Sequence, residues 1–190
     1  MRGPWHLIPS LTAAMVALGC GSAPPAPTPP TGPACGVERW PVKTLTDAAA
    51  IRVDLSNVIP TTVAALNGFP QRCSNLPDAR TFVEEFRVYE LVGVVQFTRD
   101  EADRDVHVVL ADPADPAKTI VVEVVDPACA VAAPMLTTFS NARLAYQRIG
   151  PLVGRPVRVR GVGFYDFAHG QVGRSESCFE LHPVLGISTP

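Results

Sequence analysis

From Phe86 onward the apolar and polar positions fall into strand-like runs. Phe86 to Arg99 is long and rich in Val, Tyr and Phe, with Gly93 in its middle; a glycine inside a strand marks a bulge or a sharp bend. The acidic turn 100–104 leads into a second strand, Asp105 to Ala111, where Val106, Val108 and Leu110 alternate with Asp105 and His107. Asp112-Pro113-Ala114-Asp115-Pro116 is turn chemistry. A third strand, Thr119 to Val125, is closed by Asp126-Pro127. The period then lengthens: Ser140 to Ile149 reads as a helix, with Ser140 as N-cap, Gly150 after its end and Pro151 beyond. Val157 to Phe167 and Cys178 to Leu185 make a fourth and a fifth strand, with Pro183 marking an edge or the strand's end.

Three strands, a helix and two strands resemble the OB-fold, a small Greek-key barrel. The expected class is mainly β: a five-stranded OB-like Greek-key barrel over residues 80–190 with one helix between strands three and four. Residues 35–79 are irregular. Thr46-Asp47 is placed to cap a short helix through Ile51, and Thr61-Thr62 another that ends at Asn67-Gly68. Pro60, Pro70 and Pro77 break this stretch into a wrapping segment rather than a second domain.

The start of the chain carries an address. Arg2 precedes an apolar run, Leu7 to Leu18, of signal-peptide rather than membrane-spanning length. Ala17-Leu18-Gly19-Cys20 resembles a bacterial lipoprotein signal, which implies acylation of Cys20 and cleavage after residue 19. That family usually has Leu where this chain has Ala17, and Ala17-x-Gly19 also fits ordinary signal-peptidase cleavage. Residues 1–19 are expected to be a signal peptide and 20–34, with Pro at 24, 25, 27, 29, 30 and 33, a semi-rigid polyproline tether. The expected partners are the membrane, through the lipid, and an unidentified ligand or envelope protein.

Composition narrows the class. The formal net charge is −2, and residues 80–190 hold 11 Lys+Arg against 14 Asp+Glu. Phosphate neutralisation dominates nucleic-acid affinity, so no nucleic-acid partner is expected. After Cys20 come Cys35, Cys73, Cys129 and Cys178, with no C-x-x-C pair. In an exported chain they read as two disulfides rather than a zinc site. Three connectivities are open to four cysteines; Cys35–Cys129 with Cys73–Cys178 is the expectation adopted.

Cys35 to Thr44 (CGVERWPVKT), Val108 to Asp112 (VVLAD), Phe167 to Gln171 (FAHGQ) and Glu180 to Leu185 (ELHPVL) resemble a group of exported bacterial proteins, over most of residues 35–187. The resemblance implies kinship and no activity.

Strand alternation assigns faces. With the apolar sets of strands two, three and five turned to the core, His107, Glu123, Glu180 and His182 share the outer face. OB barrels bind ligands there, between the first hairpin loop and the loop joining strands four and five, which here holds His169. Two histidines with nearby carboxylates form a ligand set for a divalent metal. No fixed histidine spacing supports it, so solvated side chains or cross-strand pairs come first and no cofactor is assigned. Asp103-x-Asp105 lacks the full EF-hand pattern and reads as a solvated hairpin turn. Ser175 and Ser177 sit in no G-x-S-x-G elbow, and the glycines at 161, 163, 170 and 173 form no dinucleotide fingerprint. The leading expectation is a non-catalytic binding module at the cell envelope. A metal-dependent hydrolase using the His/Glu set is the alternative, and a purely structural envelope protein the third.

Overall fold

The length of the first strand is what lets the sheet close. A computed structural model of the chain describes residues 35, 36 and 38–190; the expected signal peptide, Cys20 and the tether lie outside the described residues. Strand β2 (Val88–Asp100) follows a short β1 (Val58–Pro60) and precedes β3 (Val106–Ala111), β4 (Thr119–Val124), β5 (Pro156–Tyr165) and β6 (Phe179–Ser188). The first half of β2 pairs with β5 and its second half with β3, both antiparallel. The order β2-β3-β4-β6-β5 thereby returns to β2 as a closed five-stranded barrel. β4 and β6 meet in parallel at Val122 and Leu181, and β1 adds to β2 in parallel.

Gly93 serves a different purpose from a bulge. A Cβ there would lie 2.9 Å from Leu110 Cβ, so β2 needs a glycine where it crosses β3 closely. The bulge falls between Val95 and Phe97.

The barrel interior follows the alternation. Val106, Val108 and Leu110, then Ile120, Val122 and Val124, then Phe179 and Leu181 all sit in one core. Each such side chain, fully buried, stabilises the fold by roughly 1.5–3 kcal/mol. Phe179 packs edge-on against Tyr165, Phe69 and Tyr89 at 5.0, 5.0 and 5.6 Å between ring centres. Helix α3 (Leu136–Ile149) lies between β4 and β5, as the strand order requires, and buries Ala142 in this core. It begins four residues earlier than the sequence suggests: Ser140 is not its N-cap but donates its hydroxyl to Leu136 O, one turn back inside the helix. Pro183 marks neither an edge nor an end, because β6 runs through it to Ser188 against register shifts in β5.

Residues 35–79 wrap the barrel. They contain α1 (Trp40–Lys43), which the sequence reading missed, and α2 (Val63–Asn67), capped by the Thr62 hydroxyl as expected. Thr46-Asp47 caps no helix. Only a single 3-10 turn, Ala50–Arg52, follows it, and Asp47 instead pairs with Arg80 at 3.2 Å. Residues 38–47 form a strap fixed by two buried arginines. Arg39 binds Glu85 at 2.7 Å and the carbonyls of Pro77, Ala79 and Tyr165. Arg80 binds Asp47 and the carbonyls of Val42 and Glu85.

Disulfides join Cys35 to Cys129 and Cys73 to Cys178, the expected pairing. The first ties the start of the strap to the segment before α3, and the second ties the wrap to the start of β6. Two disulfides mark an oxidising, extracytoplasmic compartment. No helix among the described residues is long and apolar enough to cross a membrane.

Candidate functional site

Every residue of β3 is buried, so its outward side chains face protein rather than water. Parity is as the alternation demands. What the sequence reading did not foresee is the cover: the strap and the loop 166–174 close over the outer face. His107, Glu123, Glu180 and His182 are 2, 8, 1 and 0 % exposed, which overturns their reading as a solvated face. Asp105 is also fully buried, and its Oδ1 accepts from the Asp126 amide at 2.7 Å, so it is no part of a solvated hairpin turn.

Between this face and its cover lies a cavity of about 330 Å³. His107 reaches it from β3, Glu123 from β4 and Glu180 from β6. Asp166 and His169 come from the β5–β6 loop, Glu101 and Asp103 from the first hairpin, and Lys43 and Glu38 from the strap. Four of the five sequence-nominated residues thus line one space. The fifth, His182, abuts Glu123 from beside the cavity without lining it.

Glu123 is the hub. It stands opposite His107 in the β3–β4 ladder. Its Oε1 lies 3.1 Å from His107 Nδ1 and its Oε2 3.0 Å from His182 Nδ1. His107 Nε2 meets Val172 O at 2.9 Å, which uses both nitrogens of that ring. His182 Nε2 lies 3.3 Å from Asp105 Oδ2. The two His182 contacts have ion-pair separations without the alignment of hydrogen bonds.

These contacts split the carboxylates. Burial favours the neutral form of Glu123, but His107 and His182 outweigh it and hold its pKa well below 4.5. Glu180 goes the other way: burial first, then the charges of Asp166 and Glu123, push its pKa well above 4.5. Burial disfavours charge on both imidazoles, yet Glu123 with Val172 raises His107, and Asp105 with Glu123 raises His182. Burial likewise opposes charge on Lys43; Glu123, Asp166, Glu180 and Asp103 outweigh it and keep its ammonium protonated.

The sequence reading missed Lys43, Asp166 and the role of Asp105. Asp105 carried a signal, being two residues before His107 on the same face. Lys43 carried none, because the strap has no periodicity from which a facing could be read. Asp166 accepts from His169 Nε2 at 3.1 Å through Oδ2, while its buried Oδ1 has no partner among the described residues.

Among the described residues, donor atoms cluster in three places. Glu38, Asp166 and His169 form one group, Glu101, His107 and Glu123 a second, and Asp105, Glu123 and His182 a third. The two buried imidazoles fall in different groups. Compared with known proteins, the chain matches no family model and no curated protein.

Proposed function

We propose that the chain is an exported binding module, held at the cell envelope through an acylated Cys20, and that its ligand site is the cavity under the strap. The observation that carries this reading is Asp166 Oδ1, a buried acceptor without a partner among the described residues, in a cavity lined by Glu123, Glu180 and Asp103. A buried polar atom left unpaired costs about 1–3 kcal/mol, which a ligand donor would recover. OB-type barrels take ligands on this face between these two loops. The occupant that suits the lining is a small molecule rich in hydrogen-bond donors, cationic or neutral, since carboxylates outnumber the Lys43 ammonium.

A thermal-shift screen of small amines, amides, polyols and carboxylates tests the reading. Donor-rich compounds should raise the unfolding temperature of the wild type and fail with Asp166→Asn. A screen in which no compound stabilises the wild type, or in which anionic compounds alone do, refutes it.

A second reading is hydrolysis of the bound molecule with a divalent metal. It is favoured by the opposed shifts of Glu180 and Glu123, because a neutral acid and an ionised base in one site are the partition general acid–base chemistry requires. Turnover of an ester, amide or phosphoester that disappears in both Glu123→Gln and Glu180→Gln would establish it.

A further inference from the structure

His182 projects from β6 with its side chain entirely out of solvent. Neither of its ring nitrogens has a hydrogen-bond partner among the described residues, and neither does Asp105 Oδ2 beside it. His107, on the other side of Glu123, is the internal control. It shares the carboxylate and has both nitrogens satisfied, by Glu123 and by Val172 O. Of the two imidazoles that flank Glu123, only His182 has ring nitrogens without a hydrogen-bond partner among the described residues.

Donors also converge at His182. One donor atom each from Asp105, Glu123 and His182 lie within 4.8 Å of one another, all three residues buried. Zinc binds imidazole nitrogen and carboxylate oxygen at about 2.0–2.2 Å, so two donors on one tetrahedral ion stand about 3.4 Å apart. The nitrogen–oxygen separations around His182 are 3.0 and 3.3 Å. The two separations belong to opposite nitrogens of the ring, so one carboxylate shares an ion with the ligating nitrogen, at close to that spacing, and the other faces the second nitrogen.

We propose that Asp105, Glu123 and His182 form a binding site for a divalent cation of the zinc class. One ring nitrogen ligates, and the other is oriented by the carboxylate next to it, the carboxylate–histidine arrangement common around bound metals. A mixed imidazole and carboxylate set selects a borderline ion over calcium or magnesium, which take oxygen ligands. Only Glu123 and His182 belong to the His/Glu set nominated from sequence; Asp105 is new, and His107, Glu180 and His169 are outside the site. The other two donor groups carry less. His107 has no free nitrogen, and in the group at Glu38 both Glu38 and His169 are exposed, with His169 already paired to Asp166.

The test uses the full-length chain carrying Cys20→Ser, so that no free thiol competes. The protein is stripped with chelator, dialysed, and titrated with zinc chloride and cobalt chloride. One equivalent per chain is expected, with visible cobalt bands of nitrogen and oxygen ligation. His182→Gln and Asp105→Asn should each weaken uptake roughly 100-fold or more, since even mutations behind the ligands cost 10–100-fold. His169→Ala should titrate like the parent. Failure of the parent chain to take up either ion, or uptake that survives both His182→Gln and Asp105→Asn, overturns the site. So does loss of uptake in His169→Ala, which would place the ion at the rim. Should the buried variants fail to fold, the parent's cobalt spectrum decides alone: absence of histidine ligation overturns the proposal.

Discussion

His107 and Glu123 face each other directly across the β3–β4 ladder, with 3.1 Å between Nδ1 and Oε1 and both side chains covered. Without the strap and the loop 166–174 over it, this would be an ordinary surface pair. Under the strap it becomes part of a titrating network whose state depends on pH.

The sign of that dependence can be worked out for the metal-free chain. His107 and His182 hold protons more tightly than a free imidazole, so their contribution is complete below pH 6.5 and is lost as pH rises through their raised values. Glu123 titrates below 4.5, so its contribution is present above pH 4.5 and lost in acid. Glu180 titrates above 4.5, so the stability of its neutral form is lost as pH rises. Stability should therefore peak between pH 4.5 and 6.5 and decline toward pH 8, by up to about 1.4 kcal/mol per pH unit for each proton released. Urea unfolding in the presence of chelator measures this, and Glu180→Gln should flatten the alkaline decline. Stability that climbs steadily from pH 5.5 to 8 would contradict it.

Arg39 and Glu85 form an ion pair with both side chains out of water, and Glu85 also accepts from the backbone amides of Thr81, Phe82 and Tyr165. Glu85→Ala leaves a buried guanidinium without its carboxylate and should cost about 3–5 kcal/mol. A shift in the urea midpoint worth under about 1 kcal/mol, the value of an exposed pair, would show that the strap is held by other contacts.

Thiol counting on the denatured, unreduced protein should find none of Cys35, Cys73, Cys129 or Cys178 free. Replacing Cys35 and Cys129 together by Ser should cost about 2–5 kcal/mol. It should also expose residues 38–47 to protease before the barrel strands are cut. Equal cleavage of strap and barrel would mean that the strap has no independent mobility for the bond to suppress.

Intact-mass measurement on membrane-extracted protein should find a chain that begins at Cys20 and carries acyl groups, and Cys20→Ser should release it to the soluble fraction. An unmodified N-terminus would replace the lipoprotein reading with ordinary secretion.

The barrel was legible because alternation is a local signal. Val106, Val108 and Leu110 declare one face of β3, and a strand-helix-strand order then fixes the neighbours of β3. The same logic brought His107, Glu123 and Glu180 to one face. It failed at the cover, because Arg39, Lys43 and Asp47 lie in a segment whose path is set by distant partners such as Glu85 and Arg80. Pro183 misled for a related reason: its place inside β6 depends on irregularities in β5 that no property of β6 reveals. Ser140 offered an N-cap by composition while its hydroxyl was spent inside the helix.

The two disulfides interleave. In chain order the cysteines at 35, 73, 129 and 178 join first to third and second to fourth. A chain delivered N-terminus first presents Cys35 and Cys73 together, before either native partner has emerged. The bond an oxidant can make earliest is therefore a wrong one, and closing Cys35–Cys73 would tie the strap to the far end of the wrap. Correct pairing waits on the last strand, since Cys178 directly precedes β6. Where Cys35–Cys73 closes first, thiol–disulfide exchange is the route back to the native pairing, a consequence of the order of four residues along the sequence.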